Sequence, residues 1–157
     1  MGIDIHGWTI IRPYKNDKSY WRKVINIDGI VGRNSSMFDY LFGIGGYGYF
    51  KPVAENRRLP KELPKDIDPL LKGELLEESK DNIGISWLDW TEIKKIKWNK
   101  KPDGMMSDRI NKELLRNDIK KRRLALAGDW GLLFKIMKSL AQKYGDENVR
   151  IIVWFCN

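Results

Sequence analysis

The clearest periodicity lies near the C-terminal end of the chain. Leu133, Ile136, Met137, Leu140 and Tyr144 recur at helical spacing and make one apolar stripe. Asp129 stands where an N-cap carboxylate would accept from first-turn N–H groups, and Gly145 stands where positive φ ends a helix at little cost. Beyond it the pattern changes. Residues 149–155, VRIIVWF, are β-branched, aromatic and nearly continuous, which predicts a strand buried on both faces. The short connection folds the helix back over the sheet its own strand enters, so this strand is expected in the sheet interior.

At the other end, residues 3–12 alternate. Ile3, Ile5, Gly7, Thr9 and Ile11 fall on one face of a strand, and Asp4, His6, Trp8 and Ile10 on the other. Turn-forming residues at 13–18 and a second apolar run at 20–27 predict a hairpin. Ser35 or Ser36 is placed to cap a short helix through 37–42.

The middle is less regular. Glycines at 43–48 lead into a connection containing Pro52, Pro60, Pro64 and Pro69. A short helix is expected at 70–80, a weak strand at 83–87, and a helix capped by Thr91 running toward Trp98. After Pro102, Asp103 and Gly104, a longer helix opens at Ser107 or Asp108 and runs to about Ala127, where Gly128 closes it. Its apolar stripe is irregular and much of its surface basic, so it is expected to project or to lie against a partner.

Together these elements predict one domain over 1–157 of the α+β class. A small mixed or antiparallel sheet holds strands at 3–12, 19–27 and 148–155, and the 129–144 helix packs on one face. An irregular region at 43–105 forms a lobe at the sheet edge, and a basic helix covers 107–127.

Composition sharpens this. The net charge of +8 favours anionic partners, and nearly all of the excess falls within 92–123. Seven Trp are spread along the chain; most are expected in the core, while one or two could offer a stacking face to a base. Cys156 is the single cysteine, which excludes an intrachain disulfide or a zinc site built on several cysteines and suits a reducing cytosol. No apolar run approaches the ~20 residues of a membrane span. The N-terminus lacks the basic and apolar regions of a signal peptide.

Two stretches suggest chemistry. Asp4 and His6 at i, i+2 leave one strand face together. A carboxylate and an imidazole so placed could share a metal, fix the ring's tautomer or serve a hydrolase, but the leading expectation is that they anchor a buried polar network. No other His is present, so further metal ligands would have to be carboxylates such as Asp39, Asp81 or Asp129. The second stretch is the glycine loop, interleaved with Tyr47, Tyr49 and Phe50 and followed by Lys51, Arg57 and Arg58. It matches no P-loop or dinucleotide fingerprint, yet it combines flexible backbone, aromatic faces and cations. Two basic runs, one around Lys94, Lys97 and Trp98 and one at 120–123, add positive charge. No helix-turn-helix, zinc-finger or RNP pattern accompanies them, so an extended nucleic acid is not the expected partner.

Islands of sequence spread over the whole chain carry a resemblance. Met1-Gly2-x-Asp4-Ile5-His6, Leu41-Phe42-Gly43, Ser86-Trp87-Leu88, Asn148-Val149-Arg150 and Val153-Trp154-Phe155-x-Asn157 resemble, in order, a family of small proteins encoded by bacteriophages and prophages. That family has no assigned activity, so the resemblance implies context: action in the host bacterial cytoplasm, against host defence. Family members often carry Cys where this chain has Ile3 and Asp where it has Cys156. Many members also have a His shortly before the Ser86-Trp87 stretch, where this chain reads DNIGI at 81–85; if that His serves a metal site with Asp4 and His6, this chain lacks a ligand.

The resulting expectation is a homo-oligomeric, non-enzymatic protein that sequesters a small anionic ligand such as a cyclic nucleotide or a cyclic ADP-ribose-type signal. The contacts expected are Tyr47, Tyr49, Arg57, Arg58, Lys94, Lys97 and Trp98, with no cofactor, metal or membrane involved. The alternatives are a metal-dependent hydrolase or nuclease-like enzyme using Asp4 and His6, and a protein-interaction module working through the basic helix.

Overall fold

The computed structural model describes residues 2–13, 21–60, 84–102 and 111–157. The expected turn at 14–18, the helix at 70–80, the carboxylate of Asp81, and the helix start at Ser107 or Asp108 lie outside the described residues.

Four strands, β1 (Asp4–Ile11), β2 (Arg22–Asn26), β3 (Gly84–Asp89) and β4 (Val149–Cys156), form one antiparallel sheet in the order β2-β1-β4-β3. Helices α1 (Ser35–Phe42), α2 (Trp90–Ile93), α3 (Lys112–Ala127) and α4 (Asp129–Tyr144) complete an α+β fold. The last strand is interior, as its continuous apolar run predicts, and Val149 through Phe155 are all buried. It pairs with β1 along its full length, from Asp4 opposite Cys156 to Ile11 opposite Val149. None of the described helices is long and apolar enough to cross a membrane.

Side-chain alternation sorts the two faces. Ile5, Ile11, Val149, Ile151, Val153 and Phe155 meet Met37, Phe38 and Leu41 of α1 and Trp130, Leu133 and Met137 of α4 in the main core. Each such side chain, fully buried, contributes about 1.5–3 kcal/mol. The opposite face holds a second cluster of Ile10, Trp21, Ile152 and Trp154, with Trp8, Leu59, Ile85 and Trp87 packed against it. Cations interleave with these indoles. Arg12, Trp21, Arg150, Trp87 and Arg57 alternate, with guanidinium-to-ring distances of 5.3, 4.3, 4.6 and 5.0 Å. Weakly hydrated guanidinium groups are suited to lying flat on aromatic faces, so this layer is sealed by cation–π contact as well as by apolar packing.

Several helix starts differ from expectation; at α1, α2 and α3 the capping side chain is one other than the residue expected. Asn34 caps α1 and accepts from the Met37 N–H, ahead of Ser35 and Ser36. Asp89 caps α2 in a reciprocal capping box with Glu92, so Thr91 lies inside the helix, which ends at Ile93 well short of Trp98. Asn111 caps α3. Asp129 is the first residue of α4 and not its cap; one carboxylate oxygen accepts from the Gly32 N–H at 2.8 Å, tying the helix to the segment before α1. Gly145 takes positive φ (98°) at the end of α4, as expected.

The basic helix α3 does not project from the domain. It packs on α1 and α4 of its own chain, burying Asp118, Arg122 and Ala125. Gly131 makes that packing possible: a Cβ there would sit 2.0 Å from the Leu126 carbonyl oxygen. The described parts of the 43–105 region contribute the edge strand β3, while Tyr49, Phe50 and Ala54 enter the main core.

Gly7 in the middle of β1 marks a close backbone approach. A Cβ at this position would lie 2.1 Å from the Ile152 carbonyl oxygen of β4. Gly7→Ala therefore forces β1 and β4 apart and is expected to lower stability by about 1–3 kcal/mol. The check is a drop in the urea midpoint at unchanged m-value.

Candidate functional site

The glycine loop after α1 folds back on Asp39. Gly43 ends the helix with φ of 73°, and Gly45 and Gly48 also take positive φ. Gly46 lies so close to Asp39 that a Cβ would fall 2.2 Å from the Asp39 Cβ, so only glycine fits. The Asp39 carboxylate accepts from the Gly48 N–H at 3.0 Å and from the Tyr47 N–H. These bonds hold the loop closed and present Tyr47 outward. Its ring is 55% exposed and stacks on the buried Tyr49 ring at 5.3 Å.

Helix α3 runs alongside. Asn34 caps α1 and also donates from its side-chain amide to the Lys121 carbonyl at 3.3 Å, joining the start of α1 to α3. Between them opens a cleft of about 440 Å³. Ser35 and Ser36 line it from the first turn of α1, Gly45, Gly46 and Tyr47 from the loop, and Asp118, Lys120 and Lys121 from α3. The first-turn N–H groups of a helix have no carbonyl four residues back, and the helix dipole adds positive potential there. Lys120 and Lys121 are exposed and bring two further positive charges.

The acid in the wall is already neutralised. Asp118 pairs with Arg122 at 2.6 Å, both side chains being about 95% buried. Arg122 in turn lies over the Tyr40 and Phe50 rings at 4.3 and 4.4 Å. Burial pushes the Arg122 guanidinium below its ordinary pKa, while Asp118, Tyr40 and Asp39 pull it back up. It starts far enough above neutrality to remain a cation. The pair is thus the polar floor under the cleft. Burial pushes the Asp39 carboxyl above its usual range, with Asp118 adding to the rise against the opposing N–H bonds of Gly48 and Tyr47 and the charge of Arg122.

The seven expected contact residues do not line one cavity. Tyr47 lines the cleft, and Tyr49 supports it from the core. Arg57 is held elsewhere by Glu92 at 2.6 and 2.8 Å and by the Val53 and Trp87 carbonyls. Arg58 has positive φ and donates its backbone N–H to Ile85 of β3. Lys94 pairs with Asp146. The Lys97 carbonyl accepts from the Tyr40 hydroxyl at 2.5 Å, and Trp98 stacks on the Tyr40 ring at 5.4 Å against the main core. The second basic run, at 120–123, is the one that reaches the glycine loop. Ser35 and Ser36, legible in sequence only as capping candidates, are the residues that sequence reasoning missed here.

Asp4 and His6 share a sheet face but not a partner. Arg33 holds both Asp4 oxygens and keeps the Asp4 carboxyl below the usual carboxylate range. His6 bonds through Nδ1 to Asp28 Oδ2 at 2.7 Å and through Nε2 to Cys156 Sγ at 3.2 Å. Its side chain is 34% exposed and lies on the face away from α4. No group of three or more His, Cys, Asp or Glu among the described residues is arranged to hold a metal ion.

Two consequences are measurable. Asp118→Ala strands the Arg122 charge in the interior and should cost about 3–5 kcal/mol, whereas the double change Asp118→Leu with Arg122→Met should recover most of that loss; chemical denaturation of the three proteins reads both. For Asp39 the folded-state pKa exceeds the reference value of 3.8, so the folded state holds this proton to higher pH than the unfolded state. Its contribution to stability is therefore full below 3.8 and falls as pH rises through the folded pKa. Asp39→Asn removes that fall, so its stability relative to the natural chain should improve across this window and then level off.

Compared with protein-family models, curated proteins and solved structures, the chain finds no match.

Proposed function

We propose that this protein binds a small phosphorylated ligand of nucleotide type in the cleft between the glycine loop and α3, and sequesters it without changing it. The observation that carries this reading is the convergence on one cavity of the α1 N-terminus, Lys120, Lys121 and the exposed Tyr47 ring. A phosphate seats at the first-turn N–H groups, where the helix dipole and two ammonium groups favour negative charge. A base then stacks on the outer face of Tyr47, which its contact with Tyr49 holds in place. The volume of about 440 Å³ falls in the range of small-molecule sites. The nearest carboxylates, Asp39 and Asp118, are occupied by backbone N–H groups and by Arg122, so neither is free to act as a base. The phage resemblance makes a host-defence signal, such as a cyclic nucleotide or a cyclic ADP-ribose-type molecule, the natural candidate.

Titration calorimetry against a panel of cyclic mononucleotides, cyclic dinucleotides and cyclic ADP-ribose tests this. One member should bind and be recovered intact after the protein is denatured. Charge reversal of Lys120 and Lys121 should weaken binding at least about tenfold, and Tyr47→Ala should cost about 1–3 kcal/mol of affinity. Absence of heat with every member, or recovery of a cleaved ligand, would overturn the proposal.

A further inference from the structure

Pairing of the first strand with the last creates a second constellation, away from the cleft. Asp4 stands opposite Cys156 and His6 opposite Trp154, so His6 and Cys156 are diagonal neighbours on one sheet face. The imidazole lies near the Trp154 ring at 6.2 Å and 27° between planes. Its Nε2 is 3.2 Å from Cys156 Sγ, and its Nδ1 is 2.7 Å from Asp28 Oδ2. Asp28 is itself fixed twice. Its other oxygen accepts from the Gly7 N–H at 3.1 Å, and its own N–H donates to the Asn26 side chain at 2.8 Å.

This is the order of groups that activates a thiol. A carboxylate accepting from Nδ1–H leaves the lone pair on Nε2, which faces the sulfur. Proton transfer from sulfur to Nε2 gives a thiolate beside an imidazolium that Asp28 stabilises. Charged groups nearby include Asp4, opposite Cys156 in the sheet, and Arg33, which neutralises Asp4 and lies close enough to sense the charge on Cys156. Cys156 is partly exposed, so a reagent has access to it.

We infer that Cys156 is a nucleophile activated by His6, with Asp28 as the positioning residue, and that it takes activated acyl groups, meaning esters or thioesters. The thiolate adds to the carbonyl carbon and an S–C bond forms. As the adduct collapses, the bond to the leaving oxygen or sulfur breaks, and the imidazolium returns its proton to that leaving group. Water, deprotonated by Nε2, then hydrolyses the resulting thioester to a carboxylic acid and the free thiol. No oxidant or metal enters the balance.

Cys156 is the only cysteine in the chain, so modification is counted without ambiguity. The first measurement is the rate of alkylation by iodoacetamide against pH. In the natural chain the midpoint should fall at least about one unit below the ~8.5 of an unperturbed thiol. His6→Gln and Asp28→Asn should each slow the reaction at neutral pH while leaving the high-pH plateau unchanged; circular dichroism and thermal melts confirm that the variants are folded. The second is p-nitrophenyl acetate, which should release p-nitrophenolate with one transient acetyl group on Cys156, and none in Cys156→Ser. A midpoint at or above ~8.5, indifferent to His6→Gln, overturns the activation. A lowered midpoint without acylation overturns the assignment of acyl groups as substrates.

Discussion

The register between β1 and β4 is the constraint on which the rest of the molecule depends. Eight residue pairs join the two ends of the chain, and the pairing puts the most apolar segment in the middle of the sheet. A strand with Ile151, Val153 and Phe155 on one side and Ile152 and Trp154 on the other has no solvent face. A slip of one residue would exchange the two sets and move Arg150 under the helices. Gly7 permits the approach, because the Ile152 carbonyl occupies the space that any other side chain would need. The same register sets His6 beside Cys156, so the polar chain at the sheet end is a consequence of how the apolar part packs.

Charge in this protein divides into two populations with different work. The described lysines are mostly exposed, and Lys120 and Lys121 bring positive charge to the cleft. Several arginines are structural. Arg122 lies between aromatic rings with Asp118 as its counter-ion, and Arg150 lies between Trp21 and Trp87. A guanidinium tolerates this better than an ammonium because it is planar and more weakly hydrated. A basic helix can thus close against its own domain. The part of α3 that turns inward sets the Asp118–Arg122 pair beside Ala125, Leu114, Leu115 and Leu126, and an apolar-stripe criterion reads so mixed a face as a helix that projects or lies against a partner.

The two sites differ in what each needs from the fold. The cleft is assembled from a loop, a helix start and a helix flank, held together by Asn34, Asp39 and Gly46. Its lysines are solvated, so its affinity for an anion would be sensitive to salt. The His6 cluster is assembled from neighbouring strands and the 3-10 turn Ile27–Gly29, and its parts are fixed by hydrogen bonds of 2.7 to 3.2 Å. Preorganisation of that kind favours chemistry over capture, because the base and the nucleophile already face each other.

What the chain announces locally was readable. The period of 133–144, the continuous run of 149–155 and the alternation of 3–12 lead to the helix, the interior strand and the two-faced strand, because burial and hydrogen bonding act on neighbours in sequence. The positive φ at Gly145 follows in the same way. The partners of polar side chains were not readable. Arg57 looked like a ligand contact and is committed to Glu92, and Asp4 and His6 looked like a couple and answer to Arg33 and Asp28. Lys94 and Lys120 are indistinguishable in sequence, yet one pairs with Asp146 and the other borders the cleft. Periodicity assigns each residue a face but not a neighbour. Which charges meet is decided when strands and helices from distant parts of the chain pack together.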